Sequence, residues 1–363
     1  MKKILCFVLS VFILMTYPCP VMAKENTEMF AYTINAEEFD EYVSDKIFAF
    51  LYGHYGYFDN DLEVGQGINI INNNDYPKVL YPIWKNNQIV ATFIVANIDG
   101  TYTGTLSNKT YLLNDLKQIA SSSNPIFLMS NENGFFAITK DYEYNMCLNE
   151  LIGVTSNKYY EMIDGNYTLA NLSKKIDYAR SGSLARGNAN SIFDNGWQVY
   201  YYDTNHSVLN HCYTFCLYNI FRNLGINDYT FNNIRSAILN GSGVANLRKI
   251  KEWLDDENID YTSNSSYLSY SNVYNILCTN DNYLMIGLKY SNGSTTTQRH
   301  FMAMYGCASV GGNVIYKVWD PESHEAVPSS QGLLTIDGST RQVVNAEQVT
   351  LTWNDGYVGN FSK

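Results

Sequence analysis

The sequence predicts an α+β protein built in two parts. Three observations carry that expectation. One strong amphipathic helix is followed, over residues 79 to 138, by short apolar runs separated by polar turns. Residues 213 to 277 hold three helical patterns, and nearly everything after them reads as strand. Between the halves, "ARSGSLARGNANSI" (179–192) is small, polar and glycine-containing, which suits a linker. Helices first and an antiparallel sheet second is an α+β order.

The N-terminus comes first in the chain and stands apart. Lys2 and Lys3 precede the apolar run 4–15, and "TYPCPVMA" ends at Ala23. A charged start, a short apolar core and a small residue at the cleavage point make residues 1–23 an expected export signal. The run is short for a membrane span, and Pro18 and Pro20 break it. The expected protein is secreted or extracellular, with no membrane association once the signal is gone. A formal net charge of −11, with no basic stripe, argues against a nucleic-acid partner.

Residues 24–178 read as an α+β domain. "AEEFDEYVSDKIFAFLY" (36–52) has acidic residues early and apolar residues at helical spacing. "VLYPIW" (79–84), "QIVATFIVAN" (88–97) and "TYTGTL" (101–106) read as strands, and "YLLNDLKQIA" (111–120) as a helix. "NPIFLMS" and "GFFAIT" form an expected hairpin around "NENG". The region's one histidine is His54, and it holds no catalytic cluster. In the linker that follows, Arg180 and Arg186 mark a processing region.

The second domain spans 193–363. Tyr213 to Leu224 carries apolar residues at 213, 216, 217, 220, 221 and 224, with Gly225 placed to end the helix. "VANLRKIKEWLDDEN" (244–258) is a second helix, and "SNVYNIL" (271–277) a third, with Ser271 as N-cap. The expected strands are "NYLMIGLKY", "HFMAMYGC", "NVIYKVW", "LLTI", "RQVV" and "QVTLTW".

Cys6 and Cys19 leave with the signal, and Cys147, Cys212, Cys216, Cys278 and Cys307 remain. An odd number of cysteines in an exported chain implies at least one free thiol. Cys212 and Cys216, next to His211, are the nearest approach to a metal pair, and no second pair answers them. No metal or cofactor is therefore expected. Cys212 falls at a helix start, where unpaired N–H groups and the positive dipole end favour thiolate. Cys216 lies one turn deeper on the apolar stripe and reads as a small core residue.

A cysteine nucleophile needs a base, and the base needs an orienting acceptor. His300 opens the strand "HFMAMYGC", and Asp320 closes "NVIYKVWD". A loop over Ala308 to Gly312 would pair Cys307 with Asn313 and set His300 directly opposite Asp320. A tight Gly311-Gly312 turn would instead leave Asp320 roughly 10 Å along the strand from that point. The expected triad therefore calls for the longer loop.

"NHCYTFCLYNIFRNLG" and "RHFMAMYGCASVGGNVIYKVWDP" resemble the papain-fold cysteine peptidases of bacteria, especially the staphopain-like branch. The resemblance covers roughly residues 195 to 325 and implies a papain-like α+β fold. It implies Cys212 as nucleophile, His300 as base and Asp320 as orienter, where the family more often has Asn. It also implies an exported zymogen whose N-terminal prodomain acts as intramolecular inhibitor, with protein or peptide as substrate. The family's oxyanion glutamine is replaced here by His206, with Asn205 beside it, and either could donate to an oxyanion. The alternatives are a non-catalytic adhesin or binding protein on a degenerate peptidase fold, and a cell-wall amidase. The amidase would want an Asp-Cys-Ser-Gly opening, which "NHCYTF" lacks.

Overall fold

The computed structural model describes residues 28–33, 37–57, 59–72, 76–108, 113, 120, 123–131, 134–146, 150–153, 167–176, 189–194, 196–200, 211–239, 245–290, 299–321, 332–345 and 349–363. The protein is α+β. Strands at Asp260–Asn264, Thr350–Ser362, Leu284–Tyr290, Arg299–Val310, Asn313–Trp319 and Leu333–Asp337 lie side by side, each antiparallel to the next. The sheet does not stop there. Leu334, Thr335 and Ile336 pair with Ser107, Leu106 and Thr105. The order then runs on through Thr101–Ser107, Gln88–Ile98 and Lys78–Lys85. Two halves that read as separate domains share one hydrogen-bonded sheet.

The first helix, Glu37–Tyr55, carries Glu37, Glu38 and Asp40 in its first turn, where negative charge complements the helix dipole. It runs past the expected end, and Gly53 lets it approach the second half closely: a Cβ there would lie 1.6 Å from Ile315 Cδ1. Val43, Ile47 and Phe50 share a core with Phe93 from the first half and Ala308, Val310 and Ile315 from the second. Tyr42 donates to Asp337 at 2.5 Å, and Lys46 to the Asn313 side chain at 2.5 Å.

The helices of the second half are Cys212–Asn223, Phe231–Leu239, Leu247–Asp256 and the short Tyr270–Tyr274, which continues into a π-helical turn at Asn275–Thr279. Phe231–Leu239 escaped sequence reading because only Ile234 and Ile238 of "FNNIRSAIL" are buried, too few for a periodic signal. Asn246, not an earlier residue, caps its helix, accepting from Lys249 N–H at 3.0 Å. The last strand runs to Ser362, past the turn-like "NDG". There Gly356 adopts φ +78 and the register slips opposite Ile286 and Leu288, so those residues bulge within the strand instead of ending it.

Two expectations change. Ala189–Asp194, partly inside the expected linker, is a strand paired with the 306–310 end of Arg299–Val310. An open sheet edge recruited it despite its polar composition. The hairpin after His300 turns tightly at Gly311 and Gly312, with Val310 opposite Asn313, and not through the longer loop. Both glycines have positive φ, which a two-residue turn demands. Among the described residues, no helix is long and apolar enough to cross a membrane.

Candidate active site

Cys212 is the first residue of its helix, where backbone N–H groups lack partners within the helix. His211 holds the N-cap position, and its carbonyl accepts from the N–H groups of Thr214 (2.9 Å) and Phe215 (3.2 Å). Burial and the nearby Arg235 charge hold the His211 imidazole below its ordinary pKa, so it favours the neutral ring. Cys212 itself is 5% exposed.

Cys216, one turn deeper, is fully buried, and its thiol donates to the Phe301 carbonyl at 3.4 Å. That contact seats the helix against the strand that carries His300. Cys212, Cys216, Phe301, Ala303 and Trp319 belong to one apolar cluster. The sequence assignment of Cys216 to the core agrees with this packing.

His300 and Asp320 stand at the ends of neighbouring strands, just beyond Phe301 and Trp319. His300 Nε2 and Asp320 Oδ1 are 2.8 Å apart, and both residues are 0% exposed. The tight turn did not prevent this contact, for a reason visible in the register. Met304 pairs with Val318 and Gly306 with Lys317, so Tyr305 is an extra residue in its strand. This β-bulge moves the pairing by one and reverses which face each later residue takes. Ala303 meets Trp319, and continuing the ladder sets Asp320 beside Met302 on the face that His300 shares. The remaining offset of two residues is spanned by the side chains.

The neighbours of Asp320 are closely fitted. Its N–H donates to the Gly332 carbonyl at 2.8 Å. A Cβ on Gly332 would lie 2.3 Å from the Asp320 carbonyl oxygen and 3.0 Å from Trp319 Nε1. Trp319 packs on Trp197 with its ring tilted at 40° and 5.7 Å between centroids, and Tyr283 and Tyr305 also lie against Trp197. Gly332 and Trp197 were not recognised from sequence. A lone glycine before a strand, and a tryptophan in an irregular segment, carry no local signal of what they pack on.

The chain approaches Cys212 along its own helix. Gln198 N–H donates to Asn223 Oδ1 at 3.0 Å, and Tyr200 N–H to the buried Asn219 at 2.7 Å. Asn219 is one turn nearer the helix start than Asn223, so residues 198–200 run toward the Cys212 end. Asn205 and His206, the expected oxyanion donors, lie outside the described residues. So do Arg180, Arg186, Cys147, the signal 1–23 and most of the helix expected at 111–120. Among the described residues, no group of three or more His, Cys, Asp or Glu is arranged to hold a metal ion.

The geometry thus joins His300 to Asp320 directly and brings Cys212 to the same strand through Cys216 and Phe301. No protein-family model matches the chain, and no curated protein matches it either.

Proposed function

We propose that the chain is an exported cysteine peptidase with a papain-like core, made as a zymogen and processed near Arg180 or Arg186. The observation that supports it most is the fully buried His300–Asp320 contact at 2.8 Å, beyond a helix that begins with a cysteine.

Asp320 accepts from His300 Nε2–H, which fixes the ring's orientation and leaves Nδ1 as the nitrogen to serve the thiol. Nδ1 takes the Cys212 proton as sulfur attacks the peptide carbonyl. It then returns a proton to the leaving amine, giving a thioester that water hydrolyses. The Cys212 N–H at the helix start, with Asn205 or His206, would stabilise the oxyanion. Alternation gives His300 the face of Met302, whereas Phe301 faces the helix. The imidazole therefore has to meet the thiol around the strand's open end, near Arg299.

The test is alkylation of Cys212 by iodoacetamide at neutral pH, beside peptide hydrolysis. After cleavage in the linker, wild type should alkylate fast and hydrolyse peptide, His300→Ala should do both slowly, and Cys212→Ala should not hydrolyse at all. Equal alkylation rates in wild type and His300→Ala would show that ring and thiol are uncoupled. Hydrolysis that survives Cys212→Ala would end the peptidase assignment.

A non-catalytic binding protein on the same fold is the second reading. The nearly complete burial of Cys212, His300 and Asp320 favours it, because substrate cannot reach them in this form. Persistent inertness toward thiol-directed peptidase inhibitors after linker cleavage would select it.

A further inference from the structure

The bulge that gives Asp320 the face of His300 has a second effect on the same strand. Met302 and Met304 point into the cluster with Leu277, Val273 and Trp353, whereas Ala303 and Tyr305 point toward the Cys212 helix. Simple alternation from Met304 would send Cys307 to the helix side. With Tyr305 as the extra residue, Cys307 instead turns to the side of Met302 and Met304, and pairs across the ladder with Tyr316.

Above that face lies the π-helical turn Asn275–Thr279, closed by the Asn280 N–H donating to the Asn275 carbonyl at 2.9 Å. The wider turn lets consecutive residues face the sheet: Leu277 is buried in the cluster and Cys278 packs against it. The two sulfurs, Cys278 Sγ and Cys307 Sγ, are 3.6 Å apart, and both are free thiols. Cys307 is 1% exposed, whereas Cys278 is partly open to solvent.

We propose that Cys278 and Cys307 are a redox-active pair that closes to a disulfide by exchange with a small-molecule disulfide, clamping the π turn to the strand that carries His300. The Cys278 thiolate attacks one sulfur of the small disulfide, forming a mixed disulfide and releasing one thiolate. Cys307 then gives up its proton and attacks the Cys278 sulfur, expelling the second thiolate. Two protein thiols are oxidised and one small disulfide is reduced to two thiols. The more accessible sulfur engages the reagent and the buried one resolves it. Burial raises the pKa of both thiols, more strongly for Cys307, so the exchange accelerates with rising pH.

This inference is independent of peptidase activity and is tested without it. Full-length Cys212→Ala protein, reduced and then incubated with oxidised glutathione, is denatured in acid, alkylated, digested and analysed by mass spectrometry. The expected product is a peptide pair linked through Cys278 and Cys307, accompanied by a higher thermal midpoint than the reduced form. Cys278→Ala and Cys307→Ala should each lose that redox-dependent rise. A persistent glutathione adduct on Cys278, or both cysteines still alkylated after oxidation, would overturn the proposal. A redox-dependent rise that survives in both alanine variants would do the same.

Discussion

The strand Arg299–Val310 has two ends, and they are built differently. At the His300 end lies a buried polar pair, and the neighbouring Phe301 and Trp319 pack against the helix that begins with Cys212. At the other end, Ala308 and Val310 are covered by the first helix in a dry, continuous core. His300 and Ala308 lie about 27 Å apart at roughly 3.4 Å per residue. No described residue before 197 belongs to the Cys212 cluster. The N-terminal half is joined to the second half by the first helix at the far end, and also by the pairing of Thr105–Ser107 with Leu334–Ile336, two residues from the Gly332 that holds Asp320. Its attachment is that of a core and a sheet, which a cut in the chain does not undo. Activation by cleavage near Arg180 or Arg186 would then have to act locally, with the N-terminal half still in place.

The largest effect should come from the polar end. Asp320→Ala strands a buried imidazole N–H, which costs about 2 to 4 kcal/mol of stability. It should also lower kcat/KM by roughly a hundredfold or more if the triad operates. Denaturant melts and peptide hydrolysis separate the two losses. A fall in activity without a fall in stability would mean that the pair is not held as tightly as its burial implies.

The seam should resist a nick. After limited proteolysis in 179–188, both fragments should co-elute in size exclusion under native conditions and part only in denaturant. Free elution of the N-terminal fragment would reverse the comparison. Gly53→Leu attacks the same seam by driving a side chain into Ile315, with an expected loss of about 1 to 3 kcal/mol and little change in Cys212 alkylation.

Acid should loosen the seam before it touches the core. His54 lies between Thr335 Oγ1 and Asn108 Oδ1, each at 2.7 Å, and burial lowers its pKa from 6.5 to about 4. The folded state thus holds a neutral ring, while the unfolded chain takes up its proton near pH 6.5. Stability from this site is intact above that pH and drains away as pH falls toward 4. The loss is about 2 kcal/mol after allowing for partial solvent access. His54→Gln should flatten the stability profile in that window, and an unchanged profile would remove His54 from the account. The smallest expected change is Cys216→Ala: about 1 kcal/mol of stability for a small buried group, with hydrolysis nearly retained.

Much of the α+β order was legible in the chain, because helices and strands announce themselves through local periodicity. The Cys212 helix start, the Cys216 stripe and the strands bearing His300 and Asp320 all follow from residues near one another in sequence. What the tertiary structure decided has no local signature. The Tyr305 bulge, which lets a tight Gly311-Gly312 turn coexist with the His300–Asp320 contact, depends on how the facing strand is packed. The pairing of Leu334–Ile336 with Thr105–Ser107 joins segments more than two hundred residues apart. So does the fit of Gly53 on Ile315. Such contacts are chosen by the competition of surfaces for burial once the chain has collapsed. Sequence alone therefore set the elements and the candidate reactive residues, and packing set which of them meet.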